Sequence, residues 1–149
     1  MGLSAAPSLI VPRDEETCTS NAQPESNKAI LQHFDLAEAQ SSGGLGENDP
    51  ARRRAAIDQI YTEDGLFYDP KGVGVYRGRD EIDRIAGAIR ATHPDFRYQP
   101  IAEPEELGNG GCIRWVSGRP GDAAAYAGTD FIIAQDGLIA ALYLFFDKL

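Results

Sequence analysis

Two apolar runs near the C-terminus, residues 126–134 and 138–146, constrain the fold more than any other part of the chain. They are separated by Gln135-Asp136-Gly137, and Asp-Gly between apolar runs is a strong hairpin signal because both residues tolerate the positive φ of a tight turn. The reading is two long antiparallel strands. Both are too apolar for a sheet with one wet face, so helices must cover one face and the other must curve around an interior or meet a second subunit. One residue breaks the pattern. Asp130 lies in mid-strand, sharing a face with Tyr126, Gly128 and Ile132, whereas Thr129, Phe131 and Ile133 point the other way. A carboxyl in that company is costly to ionise, so it must be paired, protonated or set in a lined cavity.

The preceding chain supplies the covering helices. Residues 1–22 mix Pro, Ser, Thr and charge without periodicity and read as a mobile tail, leaving 23–149 as one domain. Ile30, Leu31, Phe34 and Ala37 recur at helical spacing up to about residue 40 and predict a first helix. A Gly-rich loop, 41–48, follows and lacks a phosphate-binding pattern. Asp49-Pro50 then gives an N-cap and a proline at the first helical position, with Ile57, Ile60 and Tyr61 as the buried stripe of a second helix ending near Thr62. Residues 65–69, GLFYD, read as a short strand ended by Pro70, which places Asp69 at a strand end with Phe67 on its face. Ile82, Ile85, Ala86 and Ile89 predict a third helix over 79–92, stopped by His93-Pro94. Residues 96–103 and 111–118 read as strands joined across Gly108-Asn109-Gly110. The order is that of an α+β fold with helices grouped on one side of a bent sheet.

Composition excludes several classes of function. A chain of 149 residues with 42% hydrophobic and 25% charged residues is large enough to bury a core without disulfides or metal. No run approaches the ~18 apolar residues of a membrane span, and the N-terminus lacks the basic and apolar regions of a secretory signal, so a cytoplasmic location is expected. A net charge of −9 argues against nucleic acid and anionic membranes as partners. The one basic run, Arg52-Arg53-Arg54, reads as a solvated helix face. Cys18 and Cys112 lie far apart and are expected to stay reduced. Two histidines without other ligands at suitable spacing make no zinc site, and neither a nucleophile elbow nor a dinucleotide fingerprint occurs; no metal and no cofactor is implied.

The order of elements, with the segments YTEDGLFYDPKGVGVYRGRDEI, HPDFRY and GTDFIIAQDGLIAALYLFFD, resembles the nuclear transport factor 2-like superfamily, in particular its SnoaL-like and ketosteroid-isomerase-like branches. The likeness covers residues 26–149. It implies a cone-shaped, curved antiparallel sheet wrapped by three N-terminal helices and enclosing an apolar pocket. By the same resemblance, Asp69-Pro70 falls where ketosteroid isomerases carry a catalytic Asp before Pro, and Asp130 falls where they keep a protonated carboxyl as oxyanion donor. This chain departs from that pattern at Phe34, with His33 beside it, where the oxyanion-hole tyrosine is expected, and at Ala86, where a supporting tyrosine is expected. Leu144 stands about where limonene-epoxide-hydrolase relatives have an acid.

Two carboxyls converging on an apolar pocket are the minimum equipment for removing a proton next to a carbonyl. The expectation is a cofactor-independent isomerase, cyclase or dehydratase acting on a small hydrophobic carbonyl compound, with Asp69 as base, Asp130 as donor and His33 as a further catalytic group donating to substrate. Phe34, Phe67, Trp115, Tyr126, Leu142, Leu144 and Phe146 would line its pocket. The alternatives are a non-catalytic ligand pocket or a dimerisation domain, with Asp69 merely accepting backbone N–H groups in its turn and Asp130 paired with Arg114 or another arginine. A homodimer is expected, because Tyr143 and Phe145 leave the last strand apolar on both faces.

Overall fold

The computed structural model of the chain describes Ala29, residues 48–72 and residues 74–149. The expected tail, first helix, His33, Phe34 and Cys18 lie outside these residues, save for Ala29, which is helical and buried. Two helices and seven strands follow in the order α1 (Pro50–Ile60), β1 (Tyr61–Asp69), β2 (Gly74–Arg77), α2 (Gly78–Thr92), β3 (Arg97–Pro100), β4 (Glu105–Leu107), β5 (Gly110–Gly118), β6 (Tyr126–Gln135) and β7 (Leu138–Asp147).

The strand order is β2-β1-β7-β6-β5-β3, with β4 pairing beside β3 on β5. This corrects the expected cone wrapped by three N-terminal helices. The sheet is open and uncurled: its ends are the short strands β2 and β3, which do not bond to each other. Four-residue edges cannot carry a sheet around to close on itself. It is not purely antiparallel either, since β1 runs parallel to β7, with Phe67 opposite Leu142 and Tyr68 opposite Tyr143. Among the described residues there are two helices, and the second follows β2 rather than preceding the sheet.

The β6–β7 hairpin forms as its sequence requires. Asp136 and Gly137 take φ of 53° and 74°, the left-handed pair of a tight hairpin turn. Ala134 pairs with Ile139 but Ile133 with Ala141, so Ala140 is an extra residue on β7. That bulge puts Ile139 and Leu142 on the same, helix-covered face despite their odd spacing, and both are fully buried.

The helices are fixed by arginines that the sequence reading treats as solvent-facing. In α1 the Asp49 carboxylate accepts the Arg52 N–H at 2.9 Å, capping the helix. Arg53, Ala56, Ile57 and Ile60 then form its buried stripe. Arg53 is thus not on a solvated face: its Nε donates to Asp83 of α2 at 2.7 Å, pinning the two helices together. Arg54 stays nearer the surface with Asp58 and Asp80. Arg79 Nε and a terminal nitrogen both donate to the Tyr61 carbonyl, where α1 turns into β1. The core of Ile57, Tyr61, Phe67, Ile82, Ile132 and Leu142 lies between these helices and the sheet.

Tyr61 is fully buried, and its hydroxyl is without a hydrogen-bond partner among the described residues. An orphaned buried hydroxyl costs about 1–3 kcal/mol, so its removal with the ring kept should help. Tyr61→Phe is expected to raise the unfolding free energy by about 1 kcal/mol, read as a higher urea midpoint at unchanged slope. A lower midpoint would show that the hydroxyl is bonded in solution.

Candidate functional site

A cavity of about 210 Å³ opens on the helix-covered face, between the sheet and the C-terminal end of α2. Each strand reaches it through alternation. Phe67 and Asp69 of β1, Trp115 and Ser117 of β5, Tyr126 and Asp130 of β6, and Leu144 and Phe146 of β7 all point into it. Of the residues expected to line a pocket, Phe67, Trp115, Tyr126, Leu144 and Phe146 do so. Leu142 does not: it is fully buried one position deeper, opposite Ile132, and belongs to the core. His33 and Phe34 lie outside the described residues.

Both carboxyls are present and nearly buried, Asp69 at 8% and Asp130 at 6% exposure. Asp69 Oδ1 accepts the backbone N–H of Lys71 at 2.9 Å, an Asx-type turn imposed by Pro70 that fixes the carboxylate at the strand end. Asp130 Oδ1 accepts the indole N–H of Trp115 at 2.9 Å. The expected alternative of a pair with Arg114 fails on alternation, because Arg114 lies on the other face of β5 and is exposed. The Trp115 contact depends on Gly128, its cross-strand partner. A Cβ there would come within 2.5 Å of the indole and 2.6 Å of the Phe145 carbonyl. With no side chain in the way, the ring crosses β6 diagonally and its N–H reaches the carboxyl two residues on.

Sequence reasoning misses the part of the cavity wall built from the α2–β3 connection. Ile89, Arg90, Thr92, His93, Phe96 and Tyr98 all face it. Arg90 is structural: Nε donates to Asn48 Oδ1 and the terminal nitrogens to the carbonyls of Phe96 and Pro94, which holds the connection against the helix end. His93 packs edge-on to Tyr126 with centroids 5.6 Å apart, its Nε2 lying 3.4 Å from the Tyr126 hydroxyl and its Nδ1 2.8 Å from Thr92 Oγ1. Tyr98 packs on Trp115 at 5.1 Å. Only the alternation of Tyr98 with Gln99 on a short strand could have flagged it, and β3 is too short for alternation to be read with certainty of face.

Tyr98 has the most informative electrostatics of the group. Burial, followed by the negative charge of Asp130 and then, partly offset by Arg90, that of Asp69, pushes its phenol up to about 12. It therefore feels both carboxyls and remains a neutral donor at physiological pH. Tyr61 is driven further in the same direction, by burial first and Asp130 second. A phenol held above its ordinary value of about 10 stabilises the fold fully below pH 10, and that contribution disappears as pH rises through the folded value. Stability should therefore fall from about pH 10 to about pH 12 by up to ~1.4 kcal/mol per pH unit for each such tyrosine. Absorbance at 295 nm should show these phenolates forming only together with unfolding followed by circular dichroism; their ionisation in the folded protein near pH 10 would contradict the burial.

Residues 47–142 match the profile of the SnoaL-like domain. No curated protein matches the sequence. Among solved structures, a SnoaL-like family protein from Agrobacterium tumefaciens str. C58, carrying a provisional isomerase assignment, aligns at a TM-score of 0.69 and 22% identity, over 83% of this chain and 98% of that one. A protein from Kribbella flavida with a provisional ketosteroid isomerase assignment aligns at 0.61 and 17%, over 84% and 79%. An NTF2-like protein from Anabaena variabilis aligns at 0.67 and 13%, over 89% and 96%. Identities this low carry the fold and not the activity. The profile match spans most of the chain and the structural likeness agrees with it in fold, so the protein belongs to the SnoaL-like family.

Proposed function

We propose that the protein is a cofactor-independent acid/base enzyme, an isomerase, cyclase or dehydratase acting on a small hydrophobic carbonyl compound. The observation that carries this is the arrival of two nearly buried carboxyls from separate strands, Asp69 and Asp130, at one aromatic-walled cavity, with the neutral Tyr98 phenol in the field of both. The isomerase assignments of the relatives from Agrobacterium tumefaciens and Kribbella flavida agree with this reading in class. Asp69 is the base. Its carboxylate takes a proton from the carbon next to the substrate carbonyl, and the negative charge that develops on the carbonyl oxygen is met by the Tyr98 O–H, with Asp130 as the second donor. Return of the proton to another carbon gives isomerisation; attack of the enolate carbon on a second carbonyl gives ring closure. An engineered cavity of about 150 Å³ admits benzene, so about 210 Å³ suits one or two fused rings better than four. The alternative is a pocket of the same build that binds such a ligand without transforming it.

Asp69→Asn tests the assignment cleanly, because the amide oxygen can still accept the Lys71 N–H and preserve the turn. Turnover should fall about 10²- to 10⁴-fold with ligand affinity and melting temperature nearly unchanged. Asp130→Asn should cost less, since an amide donates a hydrogen bond, and Asp130→Leu more. The substrate would come from a thermal-shift screen of one- and two-ring carbonyl compounds. Wild-type turnover in Asp69→Asn would remove it as the base, and ligands that bind without any turnover would favour the non-catalytic alternative.

The face of the sheet that the described helices leave uncovered supports a second proposal, a homodimer. Phe131 and Phe145 are 40% and 56% exposed there, beside a stacked Tyr68–Tyr143 pair with centroids 4.3 Å apart. A monomer rarely leaves such a cluster in water, and a two-fold contact would bury it. Light scattering at micromolar concentration should give about twice 16.1 kDa, and Phe145→Glu should halve it. A wild-type mass of one chain would exclude the dimer.

A further inference from the structure

The charges of the cavity are distributed unevenly. Its two acids are Asp69 and Asp130 and its two cations are Lys71 and Arg90. The guanidinium of Arg90 is committed to Asn48 and to two backbone carbonyls. Lys71 is different. It is exposed at the rim, and among the described residues its ammonium makes neither a hydrogen bond nor an ion pair. Instead Nζ rests on two ring faces, 4.1 Å from the centroid of Phe146 and 4.7 Å from that of Tyr126. Those rings, 6.0 Å apart and inclined at 56°, form a V at the cavity wall. The quadrupoles of the rings hold a cation there without neutralising it. Asp69 Oδ1 accepts the Lys71 backbone N–H, while the Lys71 side chain extends towards the Phe146 and Tyr126 rings.

We infer that Lys71 is a specificity residue that selects ligands carrying an acidic group, so that the natural ligand is a one- or two-ring carbonyl compound that also bears a carboxylate, rather than a neutral ketone. This rests on the reading of the cavity as a ligand site. The ring system fills the apolar interior against Trp115 and Tyr98, and the carboxylate sits at the rim against the Lys71 ammonium. The remaining electrostatics make this selection depend on one residue. The chain carries −9 and the cavity holds two carboxyls, so within the cavity an anion is disfavoured except beside a cation. A charge-assisted contact at a rim partly shielded by two rings is stronger than one in open water.

The test uses two probes of nearly the same shape, 2-naphthoate and 2-acetonaphthone, measured by calorimetry on the full chain and on Lys71→Met and Lys71→Arg. The wild type should prefer the acid. Lys71→Met should weaken 2-naphthoate on the order of tenfold while changing 2-acetonaphthone less than about twofold, and Lys71→Arg should restore most of the loss. Because the side chain is exposed, all three proteins should melt at the same temperature. A wild type with no preference for the acid, or a Lys71→Met variant that weakens both probes equally, would overturn the selection while leaving the ligand site standing. Failure of both probes to bind the wild type would overturn the ligand site and the inference with it.

Discussion

The hydrogen bond from the Trp115 indole to Asp130 is the contact on which the cavity depends. A carboxyl at 6% exposure in the middle of a sheet is a large expense for a protein of this size, since an uncompensated buried charge costs several kcal/mol. The indole N–H at 2.9 Å offsets part of that and, in doing so, fixes the orientation of the largest ring in the site. Tyr98 packs edge-on against the indole from β3 and Phe146 from β7, at 5.1 Å and 6.3 Å, so the wall of the cavity is assembled around one oriented ring. Gly128 makes the arrangement possible by having no side chain where the indole crosses β6.

Helix α2 provides the other half of the site, and buried arginines hold it in place. Arg53 ties it to α1 through Asp83, and Arg90 ties its last turn to the chain that leads into β3. These bonds are made by groups 8% and 4% exposed, where guanidinium donors face carbonyl and carboxylate acceptors out of water. Ile89, Thr92 and His93 are delivered to the cavity because that helix end cannot slide.

Those same arginines mark where the sequence stops being legible. A hydrophobic pattern identifies α2 and the β6–β7 hairpin because Ile82, Ala86 and the Asp136-Gly137 turn obey simple local rules. Asp130 is visible because it interrupts an apolar run, and Asp69 because it ends a strand just before Pro70. Arg53 and Arg90 were not, since burial of an arginine depends on acceptors supplied from distant parts of the chain. Strand β2 has four residues and β4 three, too few for alternation to register, and the polar start of β1, Thr62-Glu63-Asp64, looks like the end of a helix. The open sheet was hidden for the same reason: closure or its absence is decided at the edges, where the signal is weakest. Parallel pairing of β1 with β7 leaves no local trace at all.

That parallel pairing orders events during synthesis. β7 lies between β1 and β6, so the β1–β2 pair and the helices packed on it cannot join the rest of the sheet until residues 138–147 have left the ribosome. The strands and helices made first must wait for a segment made after β6. Contacts between residues as distant as Phe67 and Leu142 form slowly, because a long loop must close before they are made. During that interval the waiting strands are exposed to pairing with other nascent chains, a hazard for chaperones to suppress. Leu144 and Phe146 enter the cavity on that same strand, so the joining of the sheet and the completion of the cavity wall depend on one segment.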